Sequence, residues 1–240
     1  MSFYISVDLG QAQDYTAVSV LETVNEQYLV RHLQRFALGT PYPSIVTEIT
    51  SLTKRLPGGI LICDQTGVGA PVTDMFRVAG VSPIAVSITG GDTAKFTEAP
   101  NAIDPARKLE NRTHWSVPKR DLVSALSVAL QSGKLRIAAS LPDGDVLIRE
   151  LTAFRVKISD SGHDSYAAWR ERDHDDLVLS IAMGVYVAGK FSGKQVPIGY
   201  ASGVGMHTYD NRTRGRHLAT VWAQPDTEPQ ERGLPGLGLW

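Results

Sequence analysis

The hydrophobic pattern at the start of the chain predicts three β-strands. Residues 3–9 (FYISVDL), 15–23 (YTAVSVLET) and 27–36 (QYLVRHLQRF) are rich in β-branched and aromatic residues, which favour an extended backbone. The polar NEQ between the second and third segments is short enough for a tight turn, so we expect an antiparallel meander.

The following segments alternate between helical and extended patterns. Residues 43–56 carry apolar side chains at helical spacing and end at PGG, which predicts a helix. ILICD (60–64) is nearly all apolar, which is typical of a strand buried on both faces. After the Gly-rich turn QTGVGAP we expect a helix to about residue 78 and then a strand over 82–88.

The pattern becomes weaker in the middle of the chain. Residues 89–116 are polar without a clear period, and we expect a loop or an insertion there. A proline-started helix follows, with one apolar face and Gly133 at its end. LPDGDVLIRELTAF (141–154) predicts another helix, and FRVKISDSGHDSYAAW (154–169) predicts a strand and a hairpin.

A strongly apolar helix over 174–189 is the last element of the predicted domain, which covers residues 1–189. Residues 190–240 are rich in Gly, Pro and polar residues, so we expect an extended or disordered tail there. Antiparallel strands followed by alternating helices and strands predict an α/β fold, a mixed sheet with helices on both faces.

Composition places the chain among globular proteins. It has 240 residues, 42% of them hydrophobic and 20% charged, with a net charge of -1, which is enough for one large or two small domains. The sequence has neither an apolar run long enough to span a membrane nor a secretory signal pattern, so we expect a cytosolic protein. The single Cys63 excludes an internal disulfide, and the near-zero charge argues against a generally basic nucleic-acid binder.

Aspartates stand at the ends of three apolar elements. Asp8 ends the first strand just before Gly10, and Asp64 ends the fourth strand before the Gly-rich turn. If these strands are neighbours, their carboxylates meet at the edge where sheets of this class build sites, and Asp175 or Asp176 completes the set. Such charges repel unless a cation neutralises them, and carboxylates without thiols favour Mg²⁺ or Mn²⁺.

Each acid also has an ordinary structural explanation. Asp8 and Asp64 are typical turn residues when taken singly. His174, Asp175 and Asp176 together fit a plain helix cap. Acids at three separate element ends, each beside an apolar segment, are harder to explain by capping, so we favour one common site.

Other polar residues are candidates for supporting roles. Asp14 could assist the acids, but a hairpin turn is the more ordinary place for it. His163 in the predicted hairpin and His174 beside the acids could touch the site or lie on the surface. Lys119 and Arg120 begin a helix and are candidates for phosphate contacts, although solvated basic residues are common.

Five motifs follow one another over roughly residues 3–189: VDLGQAQDYTAV, ICDQTGVGAPVTDMF, KRDLVSALSVALQSGKLRI, ELTAF and HDDLVLSIAMGVY. Together they resemble the nuclease domain of tailed-phage large terminase subunits, which has a ribonuclease H-like fold. The most specific part is DxTGxG before a helix combined with HDDLVxxxAxG.

The resemblance implies a metal-dependent endonuclease that cleaves double-stranded DNA with little sequence specificity. Asp8, Asp64 and Asp176 would be its catalytic, metal-binding acids, with Asp175 as the alternative third member. Two Mg²⁺ or Mn²⁺ ions would serve the DNA phosphodiester.

The same resemblance implies partners and a cellular location. The partners would be double-stranded DNA, a terminase ATPase motor, a small terminase subunit and a portal protein. The location would be the cytoplasm of a bacterial host, with a phage or prophage origin. The chain has no GxxxxGK(S/T) phosphate loop, so we do not expect ATP-driven packaging from this chain alone.

Three other classes of protein stay open at this point. A sugar-kinase or actin-like ATPase shares an early Asp-Leu-Gly strand and a later Gly-rich turn, but it needs two such domains. A Holliday-junction resolvase or another ribonuclease H-like nuclease shares the acids. A non-enzymatic docking domain would keep the acids without metal-dependent activity.

Overall fold

The computed structural model describes residues 2–97 without 12 and 57, residues 113–160 without 139, and residues 175–191. For residues 154–160 it describes the backbone alone. The strands are β1 Ser2–Asp8, β2 Ala17–Val24, β3 Gln27–Arg35, β4 Ile60–Asp64, β5 Ile84–Thr89, β6 Lys95–Thr97, β7 His114–Pro118 and β8 Leu135–Ile137. The helices are α1 Tyr42–Arg55, α2 Gly69–Val78, α3 Lys119–Gln131, α4 Gly144–Asp160 and α5 Asp176–Phe191.

Within the described residues, eight strands form one mixed sheet in the order β6-β7-β5-β4-β1-β2-β3-β8. The first three strands are an antiparallel meander, because β2 pairs antiparallel with both β1 and β3. From β1 outward the sheet is parallel, through β4, β5 and β7. The predicted fold class, a ribonuclease H-like mixed sheet with helices on both faces, is confirmed.

Side chains that alternate along the strands build a separate core on each face of the sheet. Phe3, Ile5 and Val7 of β1 pack with α1 and α2, and we call this the α1-side core. Tyr4 of the same strand packs with α3, α4 and α5 in the α5-side core. The two faces are therefore both covered, which explains why β4 is apolar at nearly every position.

Helix α5 is the central helix of the α5-side core. It contacts β1, β2, α3 and α4, and its residues from Asp176 to Ala188 are all buried. A helix that is apolar on every side is stable only where neighbours surround it. Its N-terminus, where Asp176 is the first helical residue, is therefore buried and not exposed to solvent.

The structure corrects the prediction of a loop over residues 89–116. That range contains the edge strand β6 and the strand β7, which pairs parallel with β5. The strand β8 beside β3 was also missed. These strands have only three to five residues, and so short a segment shows no reliable period.

The predicted strand at the start of 154–169 is also wrong. Helix α4 continues to Asp160, so residues 154–160 have a helical backbone. β-Branched residues favour a strand there, but adding residues to a helix that already exists needs no new nucleation. The rest of that segment and the tail predicted over 190–240 lie outside the described residues, except for the end of α5. Among the described helices, none has the length and apolar character needed to cross a membrane.

Candidate functional site

Asp8 and Asp64 end two neighbouring strands of the sheet. Strands β1 and β4 pair in parallel with Val7 opposite Cys63, so the next residue on each strand is one of the two acids. Both acids are buried, with exposed fractions of 8% and 6%. The two residues are therefore adjacent in the backbone register, at the carboxyl edge of the sheet.

Both acids lie on the face of the sheet that α5 covers. Side chains alternate between faces along a strand, and Tyr4, Ile60 and Ile62 belong to the α5-side core. Asp8 and Asp64 follow these residues at even spacing, so their carboxylates leave the sheet on the same face. Cys63 lies on the other face, buried in the α1-side core, where burial raises its thiol pKa to about 12.

The charges of Asp175 and Asp176, just before and at the start of α5, act on Asp8. Burial raises the pKa of Asp8 well above its ordinary value, and the negative charges of Asp64, Asp176 and Asp175 raise it further. The ammonium group of Lys119 acts in the opposite direction. Three segments that are far apart in sequence therefore contribute carboxylates to one region of the fold.

Asp64 is held in a fixed turn by Thr66. One carboxylate oxygen, Oδ1, accepts hydrogen bonds from the Thr66 backbone N–H at 2.8 Å and from its hydroxyl at 2.6 Å. The same hydroxyl accepts the backbone N–H of Ile88 on the next strand, at 2.9 Å. Gly69 is required nearby, because a Cβ there would lie 2.2 Å from the Asp64 carbonyl oxygen. The Gly-rich turn thus fixes Asp64 while α2 begins directly behind it.

The sequence analysis did not identify Arg35, which pairs with Asp176, or Glu150, which pairs with Arg35. The Nη2 of Arg35 donates to Glu150 Oε1 at 2.6 Å and to Asp176 Oδ2 at 3.2 Å. The guanidinium lies over the Tyr15 ring, 4.6 Å from its centroid. Glu150 also accepts the Val178 backbone N–H at 3.0 Å, which satisfies one free donor in the first turn of α5.

Glu150 is buried, and burial raises its pKa to about 7. Arg35 and the Val178 N–H lower this pKa, while the charges of Asp176 and Asp175 raise it. The sequence contained one indication that Glu150 is buried. It lies three residues after Leu147 and one before Leu151, on the same buried face of the helix. Arg35 offered none, because a basic residue at the end of a strand is ordinary.

Lys119 reaches the site, whereas Arg120 pairs with an acid outside it. Lys119 Nζ lies 3.2 Å from Asp175 Oδ2, and its side chain is 16% exposed. Arg120 pairs with the exposed Asp92 at 2.7 Å. Of these two candidates for phosphate contacts, the structure places only Lys119 beside the acids.

The remaining candidates are an exposed loop aspartate and two histidines outside the described residues. Asp14 is exposed in the connection between β1 and β2, where its backbone N–H donates to the Gln11 carbonyl at 2.6 Å. His163 and His174 lie outside the described residues.

The acids fit a hard divalent cation in donor type and in charge. Among the described residues, no three His, Cys, Asp or Glu side chains are already arranged to hold an ion together. One carboxylate oxygen of Asp64 accepts a hydrogen bond from Thr66, and one of Asp176 accepts a hydrogen bond from Arg35. The donors are nevertheless carboxylate oxygens, which Mg²⁺ and Mn²⁺ prefer, and the raised pKa of Asp8 marks negative charge that a cation would neutralise.

Fold and site together describe a mixed sheet, covered by helices on both faces, with Asp8 and Asp64 at the carboxyl ends of neighbouring strands. No family model and no curated protein matches the chain. Among solved structures it is similar to the large terminase nuclease from thermophilic phage G20c, with 17% identity and a TM-score of 0.49, covering 80% of this chain and 82% of that one.

Two further solved structures are similar. The human cytomegalovirus terminase nuclease domain, Mn soaked and inhibitor bound, has 12% identity and a TM-score of 0.48, covering 78% of this chain and 82% of that one. The large terminase from a second thermophilic bacteriophage has 14% identity and a TM-score of 0.46, covering 77% of this chain and 39% of that one. All three structures are large terminases or terminase nuclease domains.

Proposed function

We propose that this chain is a metal-dependent endonuclease that cleaves double-stranded DNA with little sequence specificity. The observation that supports the proposal is that Asp8 and Asp64 end the adjacent strands β1 and β4, buried on the sheet face that α5 covers. Asp176 is the first residue of α5, is also buried, and its charge raises the pKa of Asp8. Carboxylates that repel one another in this way lower the stability of the fold, and a bound cation would neutralise the repulsion. Such a destabilising cluster is therefore a candidate for a functional metal site.

The proposed cofactor is a pair of Mg²⁺ or Mn²⁺ ions. Bound ions would supply the positive charge and Lewis acidity that hydrolysis of a phosphodiester needs. Asp8 and Asp64 would hold the metal from the sheet, and Asp176 would hold it from α5. Asp175 is the alternative third acid, and its partner Lys119 would also be the residue nearest to a DNA phosphate.

The motifs of the chain support a place in phage DNA packaging. The nuclease would be one part of a terminase, working with an ATPase motor, a small terminase subunit and a portal protein in the cytoplasm of a bacterial host. Its substrate would be double-stranded DNA, recognised through the phosphate backbone.

Cleavage of supercoiled plasmid in Mn²⁺ tests the proposal. We expect the wild-type chain to convert the plasmid to nicked and linear forms and Asp64→Asn to lose this activity. An asparagine Oδ1 still accepts both hydrogen bonds from Thr66, so the fold is retained. The matched control is Asp74→Asn on α2, whose half-exposed carboxylate pairs with Arg77 one turn along the same helix. Cleavage by Asp64→Asn at the wild-type rate would contradict the proposal.

A comparison of substrates separates the proposed activity from that of a junction resolvase. We expect linear, nicked and four-way DNA to be cut at similar rates, because contacts to the backbone do not read branching or sequence. A strong preference for four-way DNA would favour the resolvase class.

A further inference from the structure

Arg35 is joined directly to an acid of the site. Its Nη2 is shared by Glu150 and Asp176, with the shorter distance, 2.6 Å against 3.2 Å, to Glu150. The three side chains are 16%, 5% and 10% exposed, so their charges interact with little screening by water.

The surroundings keep Arg35 in this position. Its backbone N–H donates to the Asp143 carboxylate at 3.0 Å, just before α4 begins. The Tyr15 ring restrains the guanidinium plane from the side. Glu150 in turn caps α5 through the Val178 N–H. The network therefore joins β3, α4 and α5, the helix that carries Asp176.

We propose that Arg35 and Glu150 set the divalent-metal affinity of the site by controlling the carboxylate of Asp176. This inference rests on the proposed function. Arg35 acts as a cation already paired with Asp176, so it competes with an incoming ion for the same negative charge. Glu150 draws the guanidinium toward itself and so weakens that competition. Both are positioning residues, since neither is proposed to touch DNA.

The two partners of one ion pair then have opposite effects on metal binding. Arg35→Gln removes the competing charge, and we expect the Kd for Mn²⁺ to fall by about fivefold, the lower end of typical couplings between sites. Glu150→Gln leaves Arg35 wholly to Asp176, and we expect the Kd to rise by about the same factor. Cleavage by both variants should slow at saturating Mn²⁺, because Asp176 is no longer oriented by the full network.

Isothermal titration of the full chain with MnCl₂, without DNA, measures these affinities directly. Arg31→Gln is the matched control, because Arg31 lies on the same strand and pairs with the buried Glu22 at 2.6 Å, away from the acids. We expect its Kd for Mn²⁺ to equal that of the wild type. Arg35→Lys keeps the charge and should bind Mn²⁺ with nearly the wild-type Kd, which provides a test if Arg35→Gln does not fold.

The outcomes separate this inference from the proposed function. Wild-type chain that binds no Mn²⁺ would overturn both. Wild-type chain that binds Mn²⁺ and cleaves plasmid, while Arg35→Gln and Glu150→Gln change the Kd in the same direction or leave it unchanged, would overturn the inference alone. An Arg35→Lys variant that binds as tightly as expected for Arg35→Gln would show that the charge of Arg35 is not the cause.

Discussion

Asp8 lies in a group of carboxylates in which each negative charge raises the free energy of its neighbours. Burial is the largest cause of its raised pKa, and the charges of Asp64, Asp176 and Asp175 add to it. Replacing a charged carboxylate by a neutral amide of the same shape removes the repulsion and keeps the packing. The effect on stability depends on pH, because only the charged form of Asp8 is repelled.

We expect Asp8→Asn to melt at a higher temperature than the wild type at pH 8 in EDTA. The pKa of Asp8 is raised in the folded state, so the folded wild type is favoured below the ordinary carboxyl pKa of about 4 and loses stability as the pH rises through the raised pKa. The advantage of the variant should therefore be absent at pH 4. Calorimetric melting of both proteins at the two pH values measures this, and a less stable variant at pH 8 without metal would contradict it.

The sequence indicated Asp8 and Asp64 as candidates because each ends an apolar strand shortly before glycines. Strand ends that open onto Gly-rich turns gather at one edge of a sheet, so Asp8 and Asp64 were predictable as neighbours. Arg35 and Glu150 were not predictable as a pair. They are far apart in sequence, and only the folded position of α4 beside the end of β3 brings them together.

At the scale of elements, α5 determines where the third acid lies. The helix packs closely on β1 and β2 at Gly184, where a Cβ would lie 2.7 Å from Leu21 Cδ1 and 2.8 Å from Ser6 Oγ. Leu21 is fully buried, so its side chain has little space in which to move. The distance of α5 from the sheet, and with it the position of Asp176, therefore depends on Gly184 having no Cβ.

We expect Gly184→Ala to lower the Tm, while Gly189→Ala in the same helix raises it. Overpacking a core costs about 1–3 kcal/mol, which exceeds the gain of up to about 1 kcal/mol in helix propensity. At Gly189 a Cβ would meet only the Tyr28 hydroxyl at an ordinary 3.7 Å, so the propensity gain remains. Thermal melting of the two variants measures the difference. An equal rise in Tm for both would show that α5 does not pack against β2 as described.

Elements with a clear hydrophobic pattern were predicted well, and three short strands without one were not. The strands β1, β2, β3 and β5 and the helices α1, α2, α3 and α5 have enough patterned positions to be read from the sequence, and the five-residue β4 was recognisable because it is nearly all apolar. The strands β6, β7 and β8 have three to five residues each and gain stability from pairing with β7, β5 and β3. Such pairing is a tertiary contact, and the local sequence does not record it.

At the scale of the whole molecule, a net charge of -1 limits how the chain would attract the proposed DNA substrate. Attraction must come from a local arrangement of basic residues, since the overall charge provides none. Lys119 is a basic residue that the structure places beside the acids. Contacts of this kind bind phosphates, so they weaken steeply with salt and do not distinguish sequences.

We expect Lys119→Ala to reduce the salt dependence of duplex binding. The association constant for duplex DNA falls with salt concentration. Loss of one phosphate contact should reduce the slope of its logarithm against log salt concentration by about 1, equally for duplexes of unrelated sequence. Lys134→Ala is the control, because Lys134, just before β8, pairs with the exposed Glu26 and not with an acid of the candidate site. Fluorescence anisotropy of a labelled duplex in EDTA provides the measurement. An unchanged slope for Lys119→Ala would remove this residue from the DNA-binding surface.

The proposed function requires that acids from β1, β4 and α5 bind divalent ions at one point of the fold. Anomalous diffraction at the manganese edge from crystals soaked in MnCl₂ would locate such ions. We expect a strong anomalous peak within coordinating distance of the Asp8 and Asp64 carboxylates, with Asp175 or Asp176 completing the site. A soaked crystal with no peak between these residues, or with the three carboxylates on different sides of the molecule, would contradict it.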